Sequence, residues 1–344
     1  MRMVIVSADS SADPPDHAIV CHDVRHPQQR SEVLVRKGTP LAAHDIGPLL
    51  ARGATELHLA LPAPDDVGED EAARRLAAAV AGPGVEPGEA HFGQVTFTSA
   101  SRGVVRIDPA WLDDVNAHDD VLLLTAEPDR PVDVGEALGV VKCAPVLLPE
   151  STLRAVEALV TKSGSVVKVE PFRAMRVAFV APRDRLRGSA FDRARTALSI
   201  ALEWYGSVLE PVIGAKATVD GLATAYSQAT AEGVDLIFAA GAAGTDPLDI
   251  VFEGLRQAGG QVDQIGIPAE PGTACWIGQL RSTPVLGLAS CELFGQPGGL
   301  DLLLPRLLTG EVLDRALLRR LALGGLLNGP SRIAPYHHPV AASD

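Results

Sequence analysis

The chain has 344 residues, 47% hydrophobic and 4% aromatic, with a formal charge of −13. That length and apolar content allow two domains with real cores, and the Gly, Ala, Val and Leu surplus favours helices on mostly parallel sheets over a β-sandwich. The acidic balance opposes general attraction to nucleic acid or anionic membrane, so an anionic ligand requires a local basic site. No run of eighteen apolar residues occurs, and Met1-Arg-Met-Val-Ile-Val-Ser7 reads as a short strand rather than a signal peptide, so a cytoplasmic location is expected. Cys21, Cys143, Cys275 and Cys291 are far apart in sequence, which predicts reduced, packed thiols rather than a disulfide framework or zinc knuckle.

From Val33 to Leu61 the order reads strand, Gly38 turn, helix over 43–52, Gly53 turn, strand. The acidic stretch from Pro62 into a helix over 69–80 reads as a solvated loop and helix start, and Pro and Gly at 82–88 end that helix. Short β-rich pieces at 94–98, 103–107, 121–124 and 138–142 alternate with Gly, Pro and Asp turns, which predicts a small β-module over 90–145. A helix over 151–162 follows. His17, Cys21, His22 and His26 fit a solvated segment better than a metal cluster.

After Pro171 strands and helices alternate regularly: 176–180, 189–205, 208–212, 218–232, 236–240, 248–257, 261–265, 284–287 and 299–308. Helical crossovers of that length imply an open, mostly parallel sheet with helices on both faces. The expected organisation is an α+β region over 1–170, an α/β domain over 171–328 ending in one or two helices at 311–327, and a tail over 329–344 containing His337 and His338.

In such a sheet the ligand crevice lies at the carboxyl ends of the strands, where helix N-termini meet anions. The first loop there places Arg183, Arg185, Arg187, Arg193 and Arg195 within thirteen residues, and Ser189 and Asp192 have capping-box spacing. A phosphate clamp and a set of surface ion pairs with Asp184 and Asp192 are the two readings. The second loop, Ala240-Gly-Ala-Ala-Gly-Thr-Asp-Pro-Leu-Asp249, offers glycines for close backbone approach, with Thr245 and Asp246 as helix caps and Asp246 or Asp249 as ligands for a metal ion or polar group. The third runs from Ile267 through Pro271-Gly272-Thr273 and a hairpin to a strand ending at Ala289-Ser290-Cys291. It places Ser290 and Cys291 on the same rim, and Trp276 is either a packing anchor or a wall for a ligand.

These loops, in this order, resemble the pterin-binding domain of molybdopterin adenylyltransferases and molybdopterin molybdenumtransferases. That family carries a Gly-Gly-x-Ser-x-Gly-x-x-Asp loop, a Gly-Gly-x-Val strand start, a Pro-Gly-(Lys or Thr)-Pro segment and a strand ending Leu-Pro-Gly-Asn-Pro. Here Gly241-Ala-Ala-Gly-Thr-Asp-Pro-Leu-Asp249, Gly259-Gly-Gln-Val262 and Pro271-Gly-Thr273 match in part, while Leu288-Ala-Ser-Cys-Glu292 stands in the fourth place. The family serine falls on Gly244 and the middle glycine on Asp246. The chain is also similar to the pterin-binding module joined to molybdenum-cofactor nucleotidyltransferases, through Lys37-Gly-Thr-Pro-Leu-Ala-Ala-His-Asp-Ile46.

The resemblance implies binding of molybdopterin or molybdenum cofactor, with Arg183, Arg185, Ser189, Gly241, Gly244, Thr245, Pro271, Gly272, Thr273, Ser290 and Cys291 as binding residues. It implies Asp246 and Asp249 as catalytic candidates, with Asp249 also a ligand for Mg. Its partners would be a molybdenum hydroxylase or other cofactor-biosynthesis proteins, in a homo-oligomer without nucleic acid or membrane. The changed loops favour binding, maturation or delivery over catalysis. An active Mg-dependent molybdopterin molybdenumtransferase or adenylyltransferase, and a non-catalytic sensor or scaffold, are the alternatives.

Overall fold

The computed structural model describes residues 1–9, 15–242, 244 and 246–327, except for the side chains of 160–163. Thr245 and the 329–344 tail, with His337 and His338, therefore lie outside the described residues. The chain divides into two compact units, and the segments Ser101–Val104 and Asp129–Asp133 group with the second, which otherwise begins at Glu170.

In the first unit, strands Arg2–Ser7, Glu56–Leu61, Ala18–Val20 and Pro40–Leu41 lie in that spatial order, all antiparallel. Helix Ala43–Ala51 closes a core of Ile46, Leu49, Leu57 and Leu59 beneath them. A second antiparallel sheet has the order Val121–Thr125, Ala137–Cys143, Gln94–Ser99, Val85–Pro87. Helix Glu69–Val80 packs on this sheet through Ala72, Ala73, Leu76, Ala77 and Val80, all fully buried. Their spacing is that of one apolar stripe on a 3.6-residue helix, and the alanines let helix and sheet approach closely. Helix Pro109–Asn116 was not foreseen among the β-rich pieces; Asp108 caps it by accepting from the Ala110 N–H at 3.0 Å, and proline stands at its start.

The second unit is built on a six-stranded mixed sheet with the order Val208–Ala215, Arg176–Pro182, Leu236–Ala239, Thr283–Gly287, Trp276–Leu280, Gln261–Ile265. The first four strands are mutually parallel, while Trp276–Leu280 runs against both of its neighbours. This departs from simple helical crossovers for a geometric reason. Leu280 pairs with Thr283 across the two-residue turn Arg281–Ser282, and so short a link joins only antiparallel strands. In Arg176–Pro182, Val177, Phe179 and Ala181 enter a core cluster that includes Phe191, Leu198, Leu202, Leu303 and Leu304. Ala178 and Val180 enter another with Leu222, Tyr226, Val251 and Phe252. The period-two alternation of the strand thus feeds two cores, one formed with helices Gly188–Trp204 and Gly299–Thr309, the other with Val219–Ala231 and Ile250–Gln257. Truncating the fully buried Phe179 to alanine would cost on the order of 3–5 kcal/mol.

Of the one or two helices expected over 311–327, the described residues form a single short one, Arg315–Arg320. Gly310, at φ 89°, ends the preceding helix in the left-handed region, and the chain restarts only where Asp314 caps the Leu317 N–H at 2.7 Å.

Candidate functional site

Strand direction brings the loops that follow Arg176–Pro182, Leu236–Ala239, Gln261–Ile265 and Thr283–Gly287 to one edge of the second unit's sheet. The contacts along this edge can be followed from loop to loop. Arg185 Nη1 donates to the Gly241 carbonyl and to Asp249 Oδ2, each at 2.6 Å. Gly244 lies against Ala274, whose carbonyl would sit 3.4 Å from a Cβ placed on that glycine. The Leu288 N–H donates to the Ala239 carbonyl at 2.9 Å. Cys275 Sγ then donates to Glu292 Oε2 at 2.7 Å. Segments that stand far apart in sequence therefore form one continuous rim.

The basic loop divides into distinct roles. The Arg183 guanidinium lies over the Phe191 ring with its carbon 4.0 Å from the centroid, and its aliphatic stem crosses Gly214, where any Cβ would come within 2.5 Å of Cδ. Arg185 is the member tied to the second loop, with its side chain 39% exposed. Arg187 bonds back to the Asp184 carbonyl at 2.8 Å, and Arg193 lies over Phe294 at 5.6 Å, on the helix beyond the rim. Ser189 does not form the expected capping box. Gly188, at φ +49°, takes the first helical position after Arg187, so Ser189 stands inside the first turn, exposed and two residues past the cap position.

The second loop also differs from expectation. Its helix starts at Ile250 and its cap is Asp249, which accepts from the Val251 N–H at 2.9 Å through Oδ1. Asp246 instead turns the chain ahead of the helix, accepting from the Leu248 N–H at 3.0 Å. Asp249 is buried, and its other oxygen accepts from Arg185. Its two oxygens thus serve a helix cap and an ion pair, an arrangement that does not fit the expected divalent-ion ligand. Among the described residues no group of three or more His, Cys, Asp or Glu side chains is placed to hold a metal ion. Gly241, at φ +86°, fits closely against Pro182, which would lie 2.8 Å from a Cβ there.

In the third loop Gly272, at φ +118°, packs against the backbone of Gly299, leaving 2.3 Å between an added Cβ and that nitrogen. Pro271 is partly buried, while Thr273 is exposed and donates to Glu270 Oε2 at 3.2 Å. Trp276 does not line the rim. It is 1% exposed and meets the Phe252 ring edge-on at 5.1 Å, inside the core. Ser290 is exposed at the start of the short helix Ser290–Leu293, and Cys291 is half-buried, its thiol pushed up by burial first and then by Glu292.

Glu292 is the group that motif reading missed. It is 2% exposed and binds three elements at once: Oε2 accepts from Cys275 Sγ and from the Ala289 N–H at 2.8 Å, and Oε1 accepts from the Leu300 N–H at 2.8 Å. Burial holds its carboxyl above the usual range despite these donors. The sequence did carry a signal, a glutamate inside the otherwise uncharged run Thr283–Gly299.

No family model matches this chain, and no curated protein matches it. Among solved structures, the chain is similar to a molybdopterin biosynthesis MoeA protein of Pyrococcus horikosii at 16% identity and a TM-score of 0.30, over 74% of this chain and 80% of that one. It is also similar to a molybdopterin biosynthesis protein of Mycobacterium abscessus at 13% identity and a TM-score of 0.28, over 43% of this chain and 97% of that one.

Proposed function

We propose that the second unit binds a phosphorylated pterin, molybdopterin or molybdenum cofactor, along its loop rim, and that the protein takes part in making, maturing or delivering that cofactor. The loops that carry the sequence resemblance are neighbours on one sheet edge. The observation that weighs most is the junction of Arg185 with Gly241 and Asp249, which sets a half-exposed guanidinium beside a glycine loop in a protein of net charge −13. Arg183 and Arg185 would take the terminal phosphate through charge-assisted hydrogen bonds. Gly241, Gly244 and Gly272 let Pro182, Ala274 and Gly299 pack closely on the loops and so hold the rim that would receive the ring or its linker, and Ser290 supplies a hydroxyl at the far end. Association with a molybdenum hydroxylase or another cofactor-biosynthesis protein, a cytoplasmic setting and homo-oligomers belong to the same proposal. No chemical step is assigned to Asp246 or Asp249.

Oxidation of the purified protein to fluorescent pterin derivatives, followed by mass analysis, tests the reading directly. A phosphorylated pterin should accompany the wild type. Arg183→Ala and Arg185→Ala should each weaken its retention by roughly tenfold to a hundredfold, as expected for losing one hydrogen bond to a charged group. A wild type that neither carries nor takes up molybdopterin would refute the proposal, as would equal retention by both variants.

A further inference from the structure

The first unit contains a separate pocket of about 480 Å³, a volume within the range of small-molecule sites. At its floor Lys37 Nζ donates to Glu69 Oε2 at 2.5 Å, with the side chains 24% and 9% exposed. Glu69 Oε2 accepts from Lys37, and among the described residues Oε1 has no hydrogen-bond donor; a Cβ on Gly38 would lie 3.4 Å from it.

The lip is unusual. The backbone N–H and C=O groups of His91 and Gln94 bond reciprocally at 2.9 and 3.1 Å, enclosing a two-residue turn with Phe92 at φ 51° and Gly93 at φ 72°. Positive φ at both central positions defines a type I′ turn, which favours Asn, Asp or Gly at the first. A bulky aromatic there is strained, and Phe92 remains 41% exposed, so burial does not offset the strain. Its ring stands 4.1 Å from that of His91. The hairpin is anchored by Asp70, whose Oδ1 accepts from the Gly93 N–H at 2.7 Å.

We propose that this pocket binds a planar heterocycle with a 2-amino-4-oxopyrimidine edge, as in pterin or guanine, stacked on Phe92 and read by Glu69 and Lys37. Such an edge presents two adjacent N–H donors and one carbonyl acceptor. A carboxylate takes the donors and an ammonium beside it donates to the acceptor, so the Lys37–Glu69 pair is complementary as it stands. The function proposed for the second unit does not use this pocket, whose lining residues all belong to the first unit.

The test is a fluorescence and calorimetric titration of the full chain with phosphate-free pterin, guanosine and lumazine, which has an oxo group in place of the 2-amino group. Pterin or guanosine should bind, with the preferred one identifying the source, and lumazine at least tenfold more weakly. Glu69→Gln should weaken binding at least tenfold. Phe92→Asn, which relieves the turn, should leave the melting temperature equal or higher while weakening binding at least fivefold. Equal affinity for lumazine, unchanged binding by Phe92→Asn and Glu69→Gln, or no binding of any ring would overturn the proposal.

Discussion

Arg185 and Asp249, 64 positions apart, form a 2.6 Å ion pair that joins the first rim loop to the N-cap of helix Ile250–Gln257. The pair combines two separable effects. Asp249 is buried and caps a helix, while Arg185 is 39% exposed, so solvent screens much of their mutual attraction. Asp249→Ala should therefore destabilise the protein by about 1–2 kcal/mol, mostly through the lost cap. Asp249→Asn retains a good capping residue and should cost less than about 1 kcal/mol. Urea denaturation of both variants measures the split, and equal losses would mean that the ion pair dominates.

Glu292 makes stability pH-dependent in an unusual direction. Burial is the largest influence on its carboxyl and raises its pKa in the folded state above the unfolded value. The folded form then holds the proton more tightly, so this stabilising contribution is full below the ordinary carboxylate range and is lost as pH rises through the higher folded value. Glu292→Gln should remove that slope. It should also destabilise by about 1–3 kcal/mol, because an amide presents an NH2 group to one of the backbone N–H donors now satisfied by the carboxylate. Thermal melts of both proteins from acid to neutral pH supply the check; parallel pH curves would contradict it.

Much of this architecture was readable from periodicity and punctuation. The helix at Glu69–Val80 and the strands at Gly103–Ile107 and Gln261–Ile265 fall where the apolar spacing and glycine stops predicted them. What failed to show was set by long-range contacts. Asp249 looked like a free ligand because its partner, Arg185, lies in another loop, and Asp246 looked like the cap because it precedes an apolar run. Glu292 was hard to read because only the Ala289 N–H is local to its own turn, while its other two donors, Cys275 and the Leu300 N–H, come from other elements. The Phe92 turn was hidden because its sequence, His-Phe-Gly-Gln, lacks the usual turn residue ahead of the glycine.

The four cysteines should separate by reactivity. Cys143 and Cys275 are fully buried; burial is the first cause raising both thiols, to about 12 for Cys143 and further for Cys275. Cys21 and Cys291 are partly accessible, with smaller shifts in the same direction. Because thiolate fraction and access together set the rate, maleimide at neutral pH should modify Cys21 and Cys291 first and reach the buried pair only on unfolding. Mass spectrometry of tryptic peptides over time identifies the order, and early labelling of Cys275 would show that the third rim loop opens in the native state.

Gly287 and Trp276 face each other across adjacent strands, and a Cβ on the glycine would fall 1.8 Å from the indole nitrogen. The indole is 1% exposed and fixed against Phe252, so it has little room to retreat. Gly287→Ala should therefore destabilise the second unit by roughly 1–3 kcal/mol through overpacking. Trp276→Leu alone should cost a comparable or larger amount through the cavity it leaves. Combined, the two should lose less than the sum of their separate effects, because the smaller side chain vacates the space that the new methyl group needs. Denaturant melts of the single and double variants give the coupling energy. Strict additivity would show that the strand backbones, rather than the indole, absorb the added methyl.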